Sequence, residues 1–194
     1  VVTGIGAVSS LGNSFHESWT SFKKGLSGIA PLTRFNVPPM KWKMSGELKG
    51  FDAGLYLSEK EMTHLDPFVQ YAVAASFMAA EDAQLMQKSL ASGGVIIGSS
   101  RGGITTIERE LEKIYASRIT HHASRLSPYL MPSTSINMAS SYVAQKLGIR
   151  GYCLGISNAC SSGANAIGEA YRLIKSGYDG PVFAGGTEAP ICRL

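Results

Sequence analysis

Apolar residues recur along the chain with two periods, and each change of period marks an element. Val1-Val2-Thr3-Gly4-Ile5-Gly6 reads as a strand that breaks into a glycine turn. Asn13 or Ser14 is placed to cap a helix running to Lys24, with Phe15, Trp19 and Phe22 on its inner face. Residues 26–57 carry no period, because Pro31, Pro38 and Pro39 interrupt any regular run. Asp66 as N-cap and Pro67 at the first helical position then open a long helix. From Phe68 to Leu85 it carries Val69, Ala72, Val73, Ala75, Ala79 and Ala80, apolar on most sides, so it is expected to be buried. Gly94 to Gly98 (GVIIG) is a continuous apolar run of strand length, as in a strand covered on both faces. After the tight loop Ser99–Gly103, a helix places Ile104, Ile107, Leu111 and Ile114 toward the core, with Glu108, Arg109, Glu110 and Glu112 outside. Ser127 to Asn137 leads into a helix that runs to about Leu147 and is closed by Gly148. The extended run Tyr152–Ile156 is followed by a helix to Lys175, with Ala164, Ile167, Tyr171 and Ile174 on one face and Gly177 as a stop. Pro181 to Ala184 is a last short buried strand, ended by Gly185-Gly186, with Thr187-Glu188 next.

Strands separated by helices argue an α/β domain with a largely parallel sheet, and no internal repeat is evident. The 194 residues, 44% of them hydrophobic, suffice for one globular domain with a sizeable core. The net charge of +4 comes without a run of like charges. It is too mild to argue for nucleic acid but compatible with an acidic partner. Trp42 between Lys41 and Lys43 reads as a packed loop rather than a nucleic-acid contact. Gly4, Gly6 and Gly12 are not spaced as a dinucleotide fingerprint. His121 and His122 sit in a polar loop with no third ligand nearby, so they read as a solvated pair rather than a metal site. Cys153, Cys160 and Cys192 form no CxxC pair, which disfavours a disulfide framework or structural zinc and suits a reducing, cytoplasmic setting. No apolar run reaches membrane-spanning length. The opening inside a strand without Met, and the end at Leu194, read as the two cuts of a truncated domain.

The chemistry concentrates at Gly151–Gly163, GYCLGISNACSSG. Cys160 lies between an extended run and the mouth of a helix, among Ala159, Ser161, Ser162 and Gly163, whose small side chains let other backbone approach. A thiol there faces unpaired helix amides and the positive end of the helix dipole. That setting favours thiolate, the nucleophilic form. Position alone leaves open a small buried structural cysteine.

The spacing of Gly151, Ile156, Ala159, Cys160, Ser161, Ser162 and Gly163 resembles the active-site signature of the β-ketoacyl-acyl carrier protein synthases, condensing enzymes of the thiolase superfamily. Val1–Gly12, Leu65–Ala75, Gly94–Gly103, Pro132–Met138, Gly151–Gly168 and Ala184–Ala189 are similar to the same family, in order. The resemblance implies the N-terminal half of a thiolase-like fold, a largely parallel mixed sheet covered by helices. It implies an acyltransferase that performs a decarboxylative Claisen condensation in fatty-acid or polyketide synthesis. Cys160 would be the nucleophile and its backbone N–H one oxyanion donor. An acyl carrier protein bearing acyl and malonyl groups would be the partner, and the protein a homodimer joined along the strand Tyr152–Ile156. No metal or organic cofactor is implied, since the phosphopantetheine arm belongs to the substrate. The family's two catalytic histidines and its supporting lysine fall beyond residue 194. None of His16, His64, His121 or His122 stands at a matching position, so the 194 residues alone are expected to be inactive.

Three departures from the family pattern stand out. Arg101 occupies the acyl-pocket position of the GS-x-x-GG loop, where the family often has an apolar residue. It reads either as a surface salt-bridge arginine or as a pocket residue that disfavours long unbranched acyl chains. Before the Asp-x-Phe of the long helix stand Met62, Thr63 and His64, with Lys60 the nearest cation, where carrier-docking basic residues are common. The loop before Pro132 is longer. Together these point toward a specialised polyketide or secondary-lipid synthase. Two other readings are a non-catalytic partner subunit of a heterodimer, which in the family lacks the cysteine, and a thiolase-type enzyme using coenzyme A thioesters.

Overall fold

A computed structural model describes residues 1–35, 43–85, 90–120 and 125–194, with the side chains of 118–120 left aside. Pro38, Pro39, Lys41, Trp42, His121 and His122 therefore lie outside the described residues.

The organising unit is a three-stranded parallel sheet in which β3 (Gly94–Gly98) lies between β4 (Cys153–Ile156) and β5 (Val182–Gly186). The register pairs Gly98 with both Ile156 and Gly186, so all three strands end at one level. Every residue of β3 is buried, as its continuous apolar run predicts. One face of the sheet carries α3 (Pro67–Asp82) and α6 (Met138–Leu147), and the core there packs Phe68, Val69, Val73, Val95, Ile97 and Val143. On a second, smaller cluster Ile96 packs against Ala166 and Ala170 of α7 (Ser162–Lys175). The remaining helices are α1 (Phe15–Lys23), α2 (Glu59–His64), α4 (Ile104–Thr120) and the short α5 (Leu130–Thr134). Among the described residues no helix is long and apolar enough to cross a membrane.

Several local signals act as read. The Ser14 side chain caps α1, Asp66 caps α3 with Pro67 at its first position, Gly148 closes α6 at φ +68°, and Gly177 follows α7 at φ +96°. Asp66 does more than cap. Fully buried, it accepts the Phe68 N–H through one oxygen, and through the other the Thr105 hydroxyl (2.7 Å) and the Thr106 N–H (2.8 Å). One carboxylate thus ties the starts of α3 and α4 together.

Other expectations are corrected. Residues 1–6 pair with no strand among the described residues and instead run along α3. A β-carbon on Gly6 would stand 1.9 Å from the Ala75 carbonyl oxygen, a contact only glycine permits. Within 26–57 a short antiparallel pair forms, β1 (Ala30–Pro31) with β2 (Met44–Ser45). Phe15, Trp19 and Phe22 do not face a core: they are exposed and stack on one another. On α7 the large apolar face Ile167, Tyr171 and Ile174 is likewise exposed, while the small face Ser162, Ala166 and Ala170 meets the sheet. The reason is spatial, because only small side chains allow the helix as near as its glycine contacts require.

Glu110 is not outside. It is 2% exposed, bonded by the Lys113 ammonium (2.5 Å) and the Ser127 N–H (2.9 Å). Lys113 first, then the Ser127 amide, hold its carboxyl below the usual range despite burial. For Glu47 burial pushes up, but the Thr33 hydroxyl, the Arg34 and Thr33 amides and the Arg34 charge outweigh it. Glu61 is lowered first by the Ser58 amide of its capping box, then, against burial, by the Ser58 hydroxyl and Lys146. A carboxyl lowered on folding adds stability that is complete above its unfolded value, about 4.5, and is lost as pH falls through the lower folded value. Thermal melts are therefore expected to lose stability progressively below about pH 4.5. Glu110→Gln should flatten that slope while lowering the plateau, and an unaltered slope would contradict the assignment.

Candidate active site

At the end of β4 the chain turns through Ser157, Asn158 and Ala159 to Cys160, and α7 begins at Ser162. Ala159 sits at φ +47°, a left-handed conformation costly for a residue with a β-carbon. It reverses the chain sharply and leaves the Cys160 side chain exposed. Ser162 braces the turn from beneath. Its hydroxyl, 3% exposed, accepts the Asn158 N–H (2.7 Å) and donates to the Ala159 carbonyl (2.7 Å). No side chain caps α7 and its first turn carries no acidic residue, so the positive end of its dipole opens beside Cys160.

Small residues make this arrangement fit. A β-carbon on Gly98 would fall 2.3 Å from the Ser162 carbonyl, and one on Gly186 would fall 3.0 Å from Gly163 Cα. The ends of β3 and β5 thus touch the first turn of α7 backbone to backbone. The loop Ser99–Gly103 leaves β3 at this same end, with the Ser99 carbonyl 3.4 Å from Ser162 Oγ. Arg101 lies on that loop, exposed, and among the described residues its guanidinium has no ion-pair partner. Glu188, just past β5, reaches across to the loop and accepts the Ser100 N–H (2.6 Å), the Arg101 N–H (3.2 Å) and the Ser99 hydroxyl (3.3 Å). The ends of parallel strands, where loops from several strands converge, are the usual place for a site in an α/β sheet.

Comparison with known proteins decides the family. The profile described as "Beta-ketoacyl synthase, N-terminal domain" matches residues 1–194. The chain belongs to the β-ketoacyl synthase family. It is 38% identical over its full length to "3-oxoacyl-[acyl-carrier-protein] synthase 2" of Synechocystis sp., covering 46% of that protein. It is 36% identical, again over its full length, to "3-oxoacyl-[acyl-carrier-protein] synthase 2" of Staphylococcus aureus, covering 48% of it. The domain therefore spans about half the length of the curated relatives it matches. Among solved structures, the ishigamide ketosynthase/chain length factor superposes with a TM-score of 0.88 at 27% identity, over all of this chain and 48% of the other. The mixed α/β architecture with its parallel sheet is thus that of the thiolase-like ketosynthases.

Within this ketoacyl synthase domain, the Cys160 turn and the Arg101 loop meet at one sheet end. His64 stands elsewhere: it closes α2, its Nδ1 bonded to the Lys60 carbonyl, and its ring lies against Tyr129. Sequence reasoning gave no role to Ser99, Ser162 or Glu188. Ser99 and Glu188 lie 89 residues apart. The one available signal was that Ser99 and Glu188 fall immediately or almost immediately after the glycines ending two neighbouring parallel strands.

Proposed function

We propose that this domain is the nucleophile-bearing half of a condensing enzyme that extends an acyl chain in fatty-acid or polyketide synthesis. The reading rests on one observation above all: an exposed cysteine at the end of a parallel strand, on a strained turn, at the uncapped mouth of a helix. The names of the curated relatives support an acyl carrier protein as the substrate carrier.

Cys160 thiolate attacks the thioester carbonyl of an acyl carrier protein, and the carrier's thiolate leaves. The Cys160 backbone N–H serves as one donor to the oxyanion formed in that attack. A malonyl-carrier thioester then loses carbon dioxide. Its carbanion attacks the acyl-enzyme carbonyl, Cys160 thiolate leaves, and the product is a 3-oxoacyl thioester longer by two carbons. Thiolate suits both steps, being nucleophile and leaving group in turn. The groups that stabilise the carbanion belong to the remainder of a longer protein, so the 194 residues alone do not turn over. The whole enzyme acts as a cytoplasmic homodimer. Arg101 stands at the acyl-pocket mouth and disfavours long unbranched chains.

The test is condensation by the full-length protein with acyl donors of graded length on carrier protein or coenzyme A, and malonyl-carrier as extender. The expected result is a 3-oxoacyl product from carrier-bound donors, with Arg101→Leu raising turnover of the longest donors about tenfold relative to the shortest. Turnover only with coenzyme A thioesters would favour a thiolase-type enzyme, and an unchanged length profile in Arg101→Leu would remove Arg101 from the pocket.

A further inference from the structure

We propose that Glu188 is a positioning residue for acyl transfer, holding the Ser99–Gly102 loop against the turn that presents Cys160. The proposal deepens the reading of Cys160 as the acyl-accepting nucleophile and rests on it. The loop is built from small and polar residues, Ser99-Ser100-Arg101-Gly102, and has no apolar anchor of its own. Its shape is set by what accepts its donors. Three of them converge on the two oxygens of Glu188, the shortest being the Ser100 N–H at 2.6 Å. Hydrogen bonds to an ionised acceptor are the strong kind, and only a carboxylate offers acceptors on both atoms.

Ser99 seats the loop beside the Cys160 turn. Its hydroxyl donates to Glu188 and accepts the Gly102 N–H (3.1 Å), while its carbonyl faces Ser162 Oγ. Ser162 in turn donates to the carbonyl of Ala159, the residue before Cys160. Glu188 is itself fixed by its neighbours. The Thr187 N–H donates to the Gly98 carbonyl (2.9 Å), the Thr187 hydroxyl donates to the Phe68 carbonyl (2.6 Å), and Ala189 is buried. The carboxylate is therefore a rigid strut between the ends of β5 and β3. The loop borders the Cys160 turn through Ser99 and Ser162, and a displacement of it on the order of 1 Å can cost as much as a hundredfold in rate.

The decisive comparison is Glu188→Gln in the full-length protein. Glutamine keeps the shape but replaces one acceptor oxygen by an NH2 group that faces a donor. Acylation by an octanoyl thioester of N-acetylcysteamine, followed by intact mass, is expected to slow about ten- to a hundredfold at saturation. The half-saturating concentration should change less than about threefold, and alkylation of Cys160 by iodoacetamide, which needs no loop, should stay within about twofold. Ser99→Ala should act in the same direction, and the double variant should be no slower than the slower single one. Equal slowing of acylation and alkylation would mean a loosened turn and would overturn the proposal, as would wild-type acylation in Glu188→Gln. If Glu188→Gln does not fold, Ser99→Ala decides: an unchanged acylation rate there refutes the strut. Wild-type protein that is never acylated at Cys160 overturns the nucleophile reading and this proposal together.

Discussion

Cys160→Ala in the full-length protein is expected to lower condensation by about a thousandfold or more, with the fold intact. Structurally the Cys160 side chain does little. It is exposed, and no hydrogen bond of its sulfur enters the turn network of Asn158, Ala159 and Ser162. Alanine fits where cysteine stood, so melting temperature should move by only a few degrees. Chemically the loss is large, because no other thiol stands on this turn: the groups that remain are hydroxyls, of which Ser161 donates to the Asn158 carbonyl (2.8 Å) and Ser162 is buried. Cys160→Ser separates the two needs of the mechanism, keeping a nucleophilic atom of poorer leaving ability. An acyl transfer rate in Cys160→Ala within tenfold of wild type would remove the residue from the chemistry.

Gly98→Ala should be among the most damaging single methyl additions at the site. Its β-carbon would stand 2.3 Å from the Ser162 carbonyl carbon and oxygen and 2.8 Å from the Gly163 nitrogen. All three are backbone atoms, so no side-chain rotation relieves the clash. Either β3 shifts within a sheet paired on both sides, or the first turn of α7 moves away. The expected cost is about 3 kcal/mol or more, read as a lowered denaturant midpoint with an unchanged slope. Because Cys160 rides on that turn, acylation should fall with it. Gly168, in the body of α7, is the contrasting site, since nothing lies within 4 Å of an added β-carbon there. Alanine at 168 is expected to be neutral or to stabilise by up to about 1 kcal/mol. Equal stability of the two variants would contradict the close approach of β3 and α7.

The contrast between Gly98 and Gly168 shows which parts of this fold a sequence discloses. Local determinants were legible: the Ser14 and Asp66 caps, Pro67, the stops at Gly148 and Gly177, and the apolar run of β3 each act within a few residues. What periodicity could not tell is which side of a helix meets the sheet. On α7 the larger apolar stripe is exposed, and Ser162, Ala166 and Ala170 make the contact. The same holds for the stacked rings of α1. Glu110 sits on the polar side of its helix by pattern, but a loop from Ser127 folds over it and supplies a donor. The place of Cys160, between a strand end and a helix mouth, was legible because its surroundings are contiguous in sequence. Glu188 was not, because its partners arrive through strand pairing across the sheet.

The central claim is that Cys160 accepts the acyl group. The most direct measurement is intact mass of the full-length protein after incubation with acyl-carrier thioesters, followed by mapping of the modified peptide. The account predicts one acyl adduct, on Cys160, although Cys153 is exposed as well. An adduct on Cys153 or Cys192, or none from any carrier or coenzyme A donor while the protein is folded, would contradict it.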